Sequence, residues 1–366
     1  MDDDLYLSLL PPKSSLVMEA ISPYEDRHQL PLVCLPGNMG DESTDPFPSH
    51  SAVVEVKTPL SLQPGAEKER FVVCPGAQSQ YYTGVANCDR SIQPGQTGAT
   101  WYPHAPPMGS SEKPGYVVLH FHGGAYVIGD GRTEDAGFAA KTLLANTSAS
   151  YVFAPQYRLA SNPGGRFPAA LQDAITAYTY LVFNRGIHPS KIILSGDSAG
   201  ANLCIALLRY ISDHGTRLGL LSPGAAWLWS PWANPGYSHN NPAALDNNPN
   251  AKYDYIVGAF GGWGARCFAP EPSTGLDIWN ENISFVGHPF KTETPLWITA
   301  GEYEVLLPEI RVFEEEMRSV NGHSVSLDLQ DYAVHDIILV GHLVSFEQEA
   351  AAAAKRAGRW LDSIKR

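Results

Sequence analysis

From residue 116 onward, short apolar segments alternate with segments whose apolar residues recur at helical spacing. The segment 116–121 (YVVLHF) is apolar with β-branched residues, as are 151–153 and 191–195, and 225–228 is also apolar, so each predicts a buried strand. Helices are predicted between them over 169–184 and over 199–214, where Leu203 and Leu207 share one face. Alternation of strands and helices favours a mostly parallel, doubly wound α/β sheet.

Further strands are predicted on both sides of this region. Those at 52–56, 71–73 and 99–102 precede it and would form an antiparallel edge. Late strands are predicted at 295–301 and at 324–329, where Val325, Leu327 and Leu329 share one face.

Residues 233–290 break the alternation, being rich in Asn, Pro, Gly and aromatic residues. A long irregular insertion in a compact domain is usually functional, for example as a lid. Its aromatic side chains suit either an apolar substrate pocket or simple packing of the insertion on the body.

Residues 196–200 (GDSAG) fit the G-x-S-x-G pattern of a nucleophile elbow. The context agrees, because a predicted strand precedes the motif and a predicted helix follows it. Glycines permit the sharp turn, and the helix N-terminus directs free N–H groups toward a developing oxyanion. Ser198 is therefore the candidate nucleophile.

Residues 122–125 (HGGA) directly follow the strand predicted at 116–121. Glycines at that place allow a backbone N–H to approach a substrate oxygen closely. An oxyanion hole needs such a donor together with the N–H of the residue after the nucleophile. The candidate donors are Gly123, Gly124 and Ala199.

Together with 157–160 (YRLA) and with 167–170 (FPAA) followed by Asp173, these motifs resemble the hormone-sensitive-lipase-like branch of the α/β-hydrolases. The resemblance covers roughly residues 95 to 365, and Ala125 stands where many members carry a third glycine. It implies an α/β-hydrolase fold, a mostly parallel doubly wound sheet with helices on both faces and a cap. We expect residues 1–50 to be an N-terminal cap segment and 51–366 the hydrolase domain, with a cap or lid insertion at about 233–290.

In this fold the triad follows the chain order Ser, acid, His. The resemblance places the acid a few residues after Gly301, usually as Asp in a D-x-L context. Glu304, in E-V-L, matches that position and keeps the carboxylate; Glu302 is the alternative.

The histidine is expected on a loop after the next strand, which predicts His335. His342 is the alternative, although Gly341 and its apolar neighbours suit a helix start. We expect Asp197, His122 and Arg158 to be structural, His122 holding the glycine loop and Arg158 bracing a loop.

The predicted activity is that of a carboxylesterase-like serine hydrolase, acting on a lipophilic or aromatic ester through an acyl-enzyme without a cofactor or metal. A thiohydrolase or acyltransferase of a biosynthetic, polyketide-like pathway would use the same triad. The branch also includes plant hormone receptors that have lost the histidine, and the presence of His335 argues against that third interpretation.

Composition narrows the partners and the location. The chain has 366 residues and a net charge of −13, which argues against nucleic acid as a partner. It shows no secretory signal and no apolar run of about 18 residues, so we expect a cytoplasmic protein without stable membrane insertion. Its five scattered cysteines show no metal-binding spacing. The substrate would be a small-molecule ester or thioester, with a homodimer or a carrier-protein or synthase partner left open.

Overall fold

Eight strands form one twisted sheet in the computed structural model, which describes Thr58, residues 60–107 and residues 115–364. The predicted segment 1–50 and the predicted strand at 52–56 lie outside the described residues. The strands are β1 Phe71–Cys74, β2 Thr97–Tyr102, β3 Tyr116–Phe121, β4 Ala149–Gln156, β5 Ile192–Asp197, β6 Ala225–Trp229, β7 Leu296–Gly301 and β8 Val325–Gln330.

The sheet order is β1-β2-β4-β3-β5-β6-β7-β8. β2 pairs antiparallel with β1 and β4, whereas the pairs from β4 through β3 to β8 are parallel. The expected antiparallel edge and parallel body are therefore both confirmed. Because β5, β7 and β8 are parallel, the loops that follow them emerge at one edge of the sheet, where ligands bind in such folds.

The helices of the described residues are α1 Thr133–Asn146, α2 Ala169–Thr179, α3 Ala199–Leu218, α4 Pro235–Asn240, α5 Ala243–Asp246, α6 Gly258–Phe268, α7 Leu307–Asn321, α8 Ile337–Val340 and α9 Glu347–Ile364. The helix predicted over 169–184 ends at Thr179 and continues as one π-helical turn, Tyr180–Asn184. The insertion expected at 233–290 contains α4, α5 and α6, joined by irregular segments and short 3₁₀ turns.

Both faces of the sheet are covered by helices. In β3, Val117 and Leu119 pack into one apolar cluster, which also contains side chains of α2, α3 and α7. Val118, between them, points to the opposite cluster, which contains side chains of α1 and α9. Burial of successive residues on opposite faces explains why these strands are continuous apolar runs. The predicted doubly wound α/β-hydrolase fold is confirmed.

One local prediction is wrong. Gly341 does not begin a helix; it follows the last residue of α8, and its N–H donates to the carbonyl of Ile337 (3.0 Å). The apolar residues before Gly341 form α8, and the next helix, α9, starts only at Glu347. No helix within the described ranges is long and apolar enough to cross a membrane.

Candidate active site

Ser198 lies at the sharp turn between β5 and α3. Its backbone has φ 50° and ψ −115°, a conformation that L-residues adopt rarely and only when the surrounding structure holds them. Two hydrogen bonds to the end of β6 and the loop after it hold Ser198 in this conformation. Ser198 N–H donates to the Trp229 carbonyl (2.9 Å), and Trp232 N–H donates to the Ser198 carbonyl (3.1 Å). The Ser198 hydroxyl does not cap α3, and the residue is partly exposed at the turn.

The glycine loop after β3 lies directly against this turn. A β-carbon on Gly123 would stand 2.4 Å from Asp197 Oδ2, so only glycine allows this approach. His122 holds the loop as expected: its Nδ1–H donates to the Gly123 carbonyl (2.7 Å), and its ring stacks on Tyr157 (4.3 Å between centroids). Burial lowers the pKa of His122, so the ring is neutral at physiological pH.

Three backbone N–H groups lie on the turn after β5 and on the glycine loop packed against it. Among the described residues, the N–H groups of Gly123, Gly124 and Ala199 donate no hydrogen bond to another part of the chain. Ala199 is the first residue of α3, where the helix leaves its N–H groups without internal acceptors. Free donors at a helix N-terminus and a glycine loop can stabilise negative charge.

Glu304 and His335 come together on the loops after β7 and β8. Glu304 Oε2 lies 3.7 Å from His335 Nδ1, and both side chains are buried. The same oxygen accepts hydrogen bonds from Ser230 Oγ (2.6 Å) and from Gly301 N–H (3.1 Å). These donors keep the carboxylate facing the imidazole ring.

The environment of His335 favours the imidazolium. Burial alone would lower its pKa, but the nearby negative charge of Glu304, with the charges of Asp254 and Asp197, raises the pKa above the ordinary 6.5. A histidine with a raised pKa is a stronger base, and the carboxylates stabilise the cation that forms when it accepts a proton.

The two alternative residues lie elsewhere. Glu302 Oε2 accepts a hydrogen bond from Tyr332 N–H (3.2 Å) instead of facing His335. His342 packs its ring against Phe138, 4.6 Å between centroids, on the side of α1.

Arg158 braces loops, as predicted from sequence. Its guanidinium pairs with the buried Asp173 and donates to the carbonyls of Gln93 and Ala169. The prediction of a structural role for Arg158 is therefore confirmed.

Sequence reasoning missed a buried carboxyl pair behind the elbow. The carboxyl groups of Asp336 and Asp197 both lie against Gly123: a β-carbon there would stand 2.4 Å from Asp197 Oδ2 and 3.2 Å from Asp336 Oδ2. Burial, and then the charge of Asp197, raise the pKa of Asp336 well above its ordinary value. His120 Nε2 lies 3.1 Å from Asp197 Oδ1 on the other side. An aspartate directly after the predicted histidine was the visible signal in the sequence.

The insertion also reaches the site. Asp254 Oδ1 accepts the backbone N–H of His335 (3.2 Å), and the ring of Tyr255 lies 6.0 Å from the imidazole ring. Neither residue carries a sequence signal that separates it from the other polar and aromatic residues of 233–290. The described residues contain no group of three or more His, Cys, Asp and Glu side chains arranged to hold a metal ion.

Comparison with known proteins places these features in a family context. A family model described as alpha/beta hydrolase fold matches residues 118–339. An acetyl-hydrolase of Streptomyces hygroscopicus is 36% identical over 135 residues, which are 36% of this chain and 42% of that protein. The match thus spans less than half of that relative's own length.

Two further similarities cover more of the chain. The carboxylesterase NlhH of Mycobacterium tuberculosis is 27% identical over 270 residues, which are 68% of this chain and 73% of that protein. The crystal structure of an esterase from the bacterial hormone-sensitive lipase family superposes with a TM-score of 0.58 at 25% identity, covering 72% of this chain and 80% of that chain.

Proposed function

Because this chain belongs to the α/β-hydrolase fold family, in its hormone-sensitive-lipase-like branch, we propose that it is a carboxylesterase-like serine hydrolase. Its reaction is cleavage of a carboxylic ester of a lipophilic or aromatic small molecule through an acyl-enzyme. Relatives with the names acetyl-hydrolase, arylesterase and carboxylesterase support ester hydrolysis.

The observation that carries the proposal is the meeting of four loops at one sheet edge. Ser198 follows β5, Glu304 follows β7 and His335 follows β8. Ser230, after β6, joins the last two loops, since its hydroxyl donates to Glu304 and accepts the N–H of Asp336 (3.1 Å). The order of these loops along the chain and their common sheet edge support the proposed Ser–acid–His triad.

In the proposed reaction, Ser198 Oγ attacks the ester carbonyl carbon while His335 accepts the hydroxyl proton as general base. The N–H groups of Gly123, Gly124 and Ala199 bind the oxyanion of the tetrahedral intermediate; removing one such donor typically costs about 3 kcal/mol. His335 then protonates the leaving alcohol, and the acyl group stays on Ser198. Water, deprotonated by His335, releases the acid. Glu304 orients the imidazole and stabilises its cation throughout.

The insertion supports a lipophilic or aromatic substrate. Partly buried aromatic side chains lie on it near the triad: Tyr255 contacts His335, and Phe260 and Trp263 on α6 pair at 6.2 Å between centroids. α6 itself packs on Ala125, next to the glycine loop. Apolar rings beside a small number of polar catalytic groups are typical of small-molecule sites.

The direct test is a series of initial rates on p-nitrophenyl esters from acetyl to dodecanoyl, with Ser198→Ala as the control. We expect turnover that depends on Ser198 and is highest at one acyl chain length. That length indicates how long an acyl chain the pocket accommodates. Labelling of Ser198 by a fluorophosphonate reports the activated nucleophile independently of substrate preference.

The other outcomes each contradict part of the proposal. Labelling of Ser198 with negligible turnover of every ester would favour a dedicated thioester or an acyl-transfer reaction with the same triad. Absence of both labelling and turnover would contradict the triad and favour a ligand-binding protein on this fold. Full activity of Ser198→Ala would contradict the assignment of the nucleophile.

A further inference from the structure

Asp254 connects the two loops that carry the acid and the histidine. Its Oδ1 accepts the backbone N–H of Tyr255 (2.8 Å) and of His335 (3.2 Å), and its Oδ2 accepts the N–H of Val305 (2.7 Å). Val305 directly follows Glu304 in the chain. One carboxylate from the insertion therefore holds the histidine loop and the acid turn at a fixed spacing.

Two neighbouring asparagines bind the same turn. Asn250 Nδ2 donates to the carbonyls of Glu302 and Glu304, both at 3.0 Å, and Asn248 Nδ2 donates to the carbonyl of Val305 (3.0 Å). Residues 248–254 thus bond to both the N–H and C=O groups of the turn.

Local loop formation does not account for these contacts. Asp254 needs only its bond to Tyr255 to form a local turn. The bonds to Val305 and His335 span 51 and 81 positions of the chain. A carboxylate that uses both oxygens on distant catalytic loops orders those loops as well as its own.

Charge gives Asp254 a second effect. Burial raises the pKa of Asp254 to about 6, although the charge of His335 opposes the shift and that of Glu304 adds to it. Asp254 is therefore mostly ionised at pH 7 and above. The negative groups that raise the pKa of His335 are Glu304, Asp254 and Asp197, from the acid turn, the insertion and the elbow.

We infer that Asp254 is a positioning residue of the catalytic centre, which fixes the backbone of His335 against the acid turn and keeps a second negative charge near the imidazole. The inference rests on the proposed function and extends it, because it makes the insertion part of the catalytic apparatus as well as a cover. Asn250 shares the positioning role but contributes no charge.

Three variants separate these effects. Asp254→Asn removes the charge and places an amide N–H₂ against the N–H of Val305. Asn250→Ala removes two bonds to the acid turn and leaves every charge in place. Asp246→Asn is the matched control, since Asp246 lies in the same insertion and, within the described part of the chain, its side chain bonds only to the N–H of Gly258 (2.7 Å), at the start of α6.

For Asp254→Asn we expect kcat to fall about tenfold with KM within about twofold, because misplaced catalytic groups slow the reaction step more than binding. The acid limb of the pH profile of kcat/KM should move to lower pH by about half a unit, less than the 1–3 units of a contacting charge. Asn250→Ala should lower kcat without moving the limb, and Asp246→Asn should change neither.

An acid limb that does not move in Asp254→Asn would overturn the inference, since a merely structural residue would lower kcat alone. So would equal kcat values for Asp254→Asn and Asp246→Asn. NMR titration of the His335 imidazole in the wild type and in Asp254→Asn tests the charge effect without any substrate. If the wild type hydrolyses no ester, the proposed function fails, while the titration still decides the role of Asp254.

Discussion

Ser230 is the residue at which the acid and the histidine loops are joined. Its hydroxyl donates to Glu304 Oε2 and accepts the N–H of Asp336, and its own N–H donates to the Thr299 carbonyl on β7 (2.9 Å). Its backbone φ is 44°, so the turn after β6 is held in an uncommon conformation. This buried hydroxyl, together with the Gly301 N–H, therefore orients the carboxylate that faces His335.

The first prediction separates the two glutamates of the acid turn. Glu304→Gln removes the charge that orients and stabilises the His335 cation, so kcat/KM should fall by about 10³-fold or more. Glu302→Gln is the matched control, since Glu302 bonds to Tyr332 N–H away from the imidazole, and it should change kcat/KM less than about twofold. Steady-state rates of both variants on one ester measure the difference; a larger loss in Glu302→Gln would reverse the assignment.

The carboxyl pair behind the elbow predicts a pH effect on stability. Asp336 has a folded-state pKa well above its ordinary 3.8, so the folded protein binds this proton more tightly than the unfolded chain. The stabilisation by this group is fully present below its unfolded-state pKa and is lost as pH rises through the folded-state pKa.

Asp336→Asn should reduce this loss of stability at high pH, because an amide beside the charge of Asp197 carries no titratable proton. Asparagine also tolerates the left-handed backbone found here, φ 57°. We expect the unfolding midpoint of Asp336→Asn to fall less between pH 5 and 9 than that of the wild type, as measured by thermal denaturation. Asp336→Ala, which removes the carboxyl group without putting an amide in its place, is the control, and equal slopes for the wild type and Asp336→Asn would contradict the raised pKa of Asp336.

At the scale of elements, α6 is the part of the insertion that touches the glycine loop. A β-carbon on Gly264 would lie 2.5 Å from the Ala125 carbonyl oxygen and 2.6 Å from the Ala125 β-carbon. Ala125 itself has φ 51°, an uncommon value for alanine. The helix therefore packs on the glycine loop, which carries two candidate oxyanion donors. It does so at Ala125, where many members of the hormone-sensitive-lipase-like branch carry a third glycine.

Gly264→Ala should displace either α6 or the glycine loop. We expect kcat on a short ester to fall about tenfold, because oxyanion donors act only in accurate geometry. Gly261→Ala, on the same helix, is the control, since its nearest neighbour is the flexible end of Leu245 at 3.1 Å. Equal kcat values for the two variants would show that this contact does not position the donors.

At the scale of the whole molecule, the side chain of Asn202 links the insertion to the hydrolase fold through hydrogen bonds. This fully buried side chain of α3 accepts from Tyr126 Oη (2.8 Å) and donates to the carbonyls of Trp232 (2.8 Å) and Ile283 (2.9 Å). Trp232 precedes the insertion and Ile283 lies near its end, while Tyr126 follows the glycine loop. One amide thus connects the elbow helix, the glycine loop and both ends of the insertion.

Asn202→Ala should destabilise the protein by about 2–3 kcal/mol, because it leaves three buried polar groups without partners. Chemical denaturation followed by fluorescence measures this change in the free energy of unfolding. Asn247→Ala, at an exposed position, is the control and should alter it by less than about 0.5 kcal/mol. A loss no larger than that of Asn247→Ala would show that the amide does not stabilise the connection.

The sequence by itself determined the strands, the elbow and the family. Apolar runs and helical spacing depend on neighbours close in the chain, so β3 was predicted with both ends correct and β5 within two residues. The motifs at 122–125 and 196–200 are contiguous, and the chain order of the triad follows from the fold, which together predicted Ser198, Glu304 and His335 as candidates.

Only the tertiary structure decided which groups surround the candidate triad. Asp254 reaches His335 across 81 positions through a backbone N–H, a donor that every residue except proline carries and that leaves no sequence pattern. The Asp197–Asp336 pair arises because parallel strands bring two distant loops to one sheet edge. Side-chain pairings of this kind depend on distances in space, whereas sequence motifs record only distances along the chain.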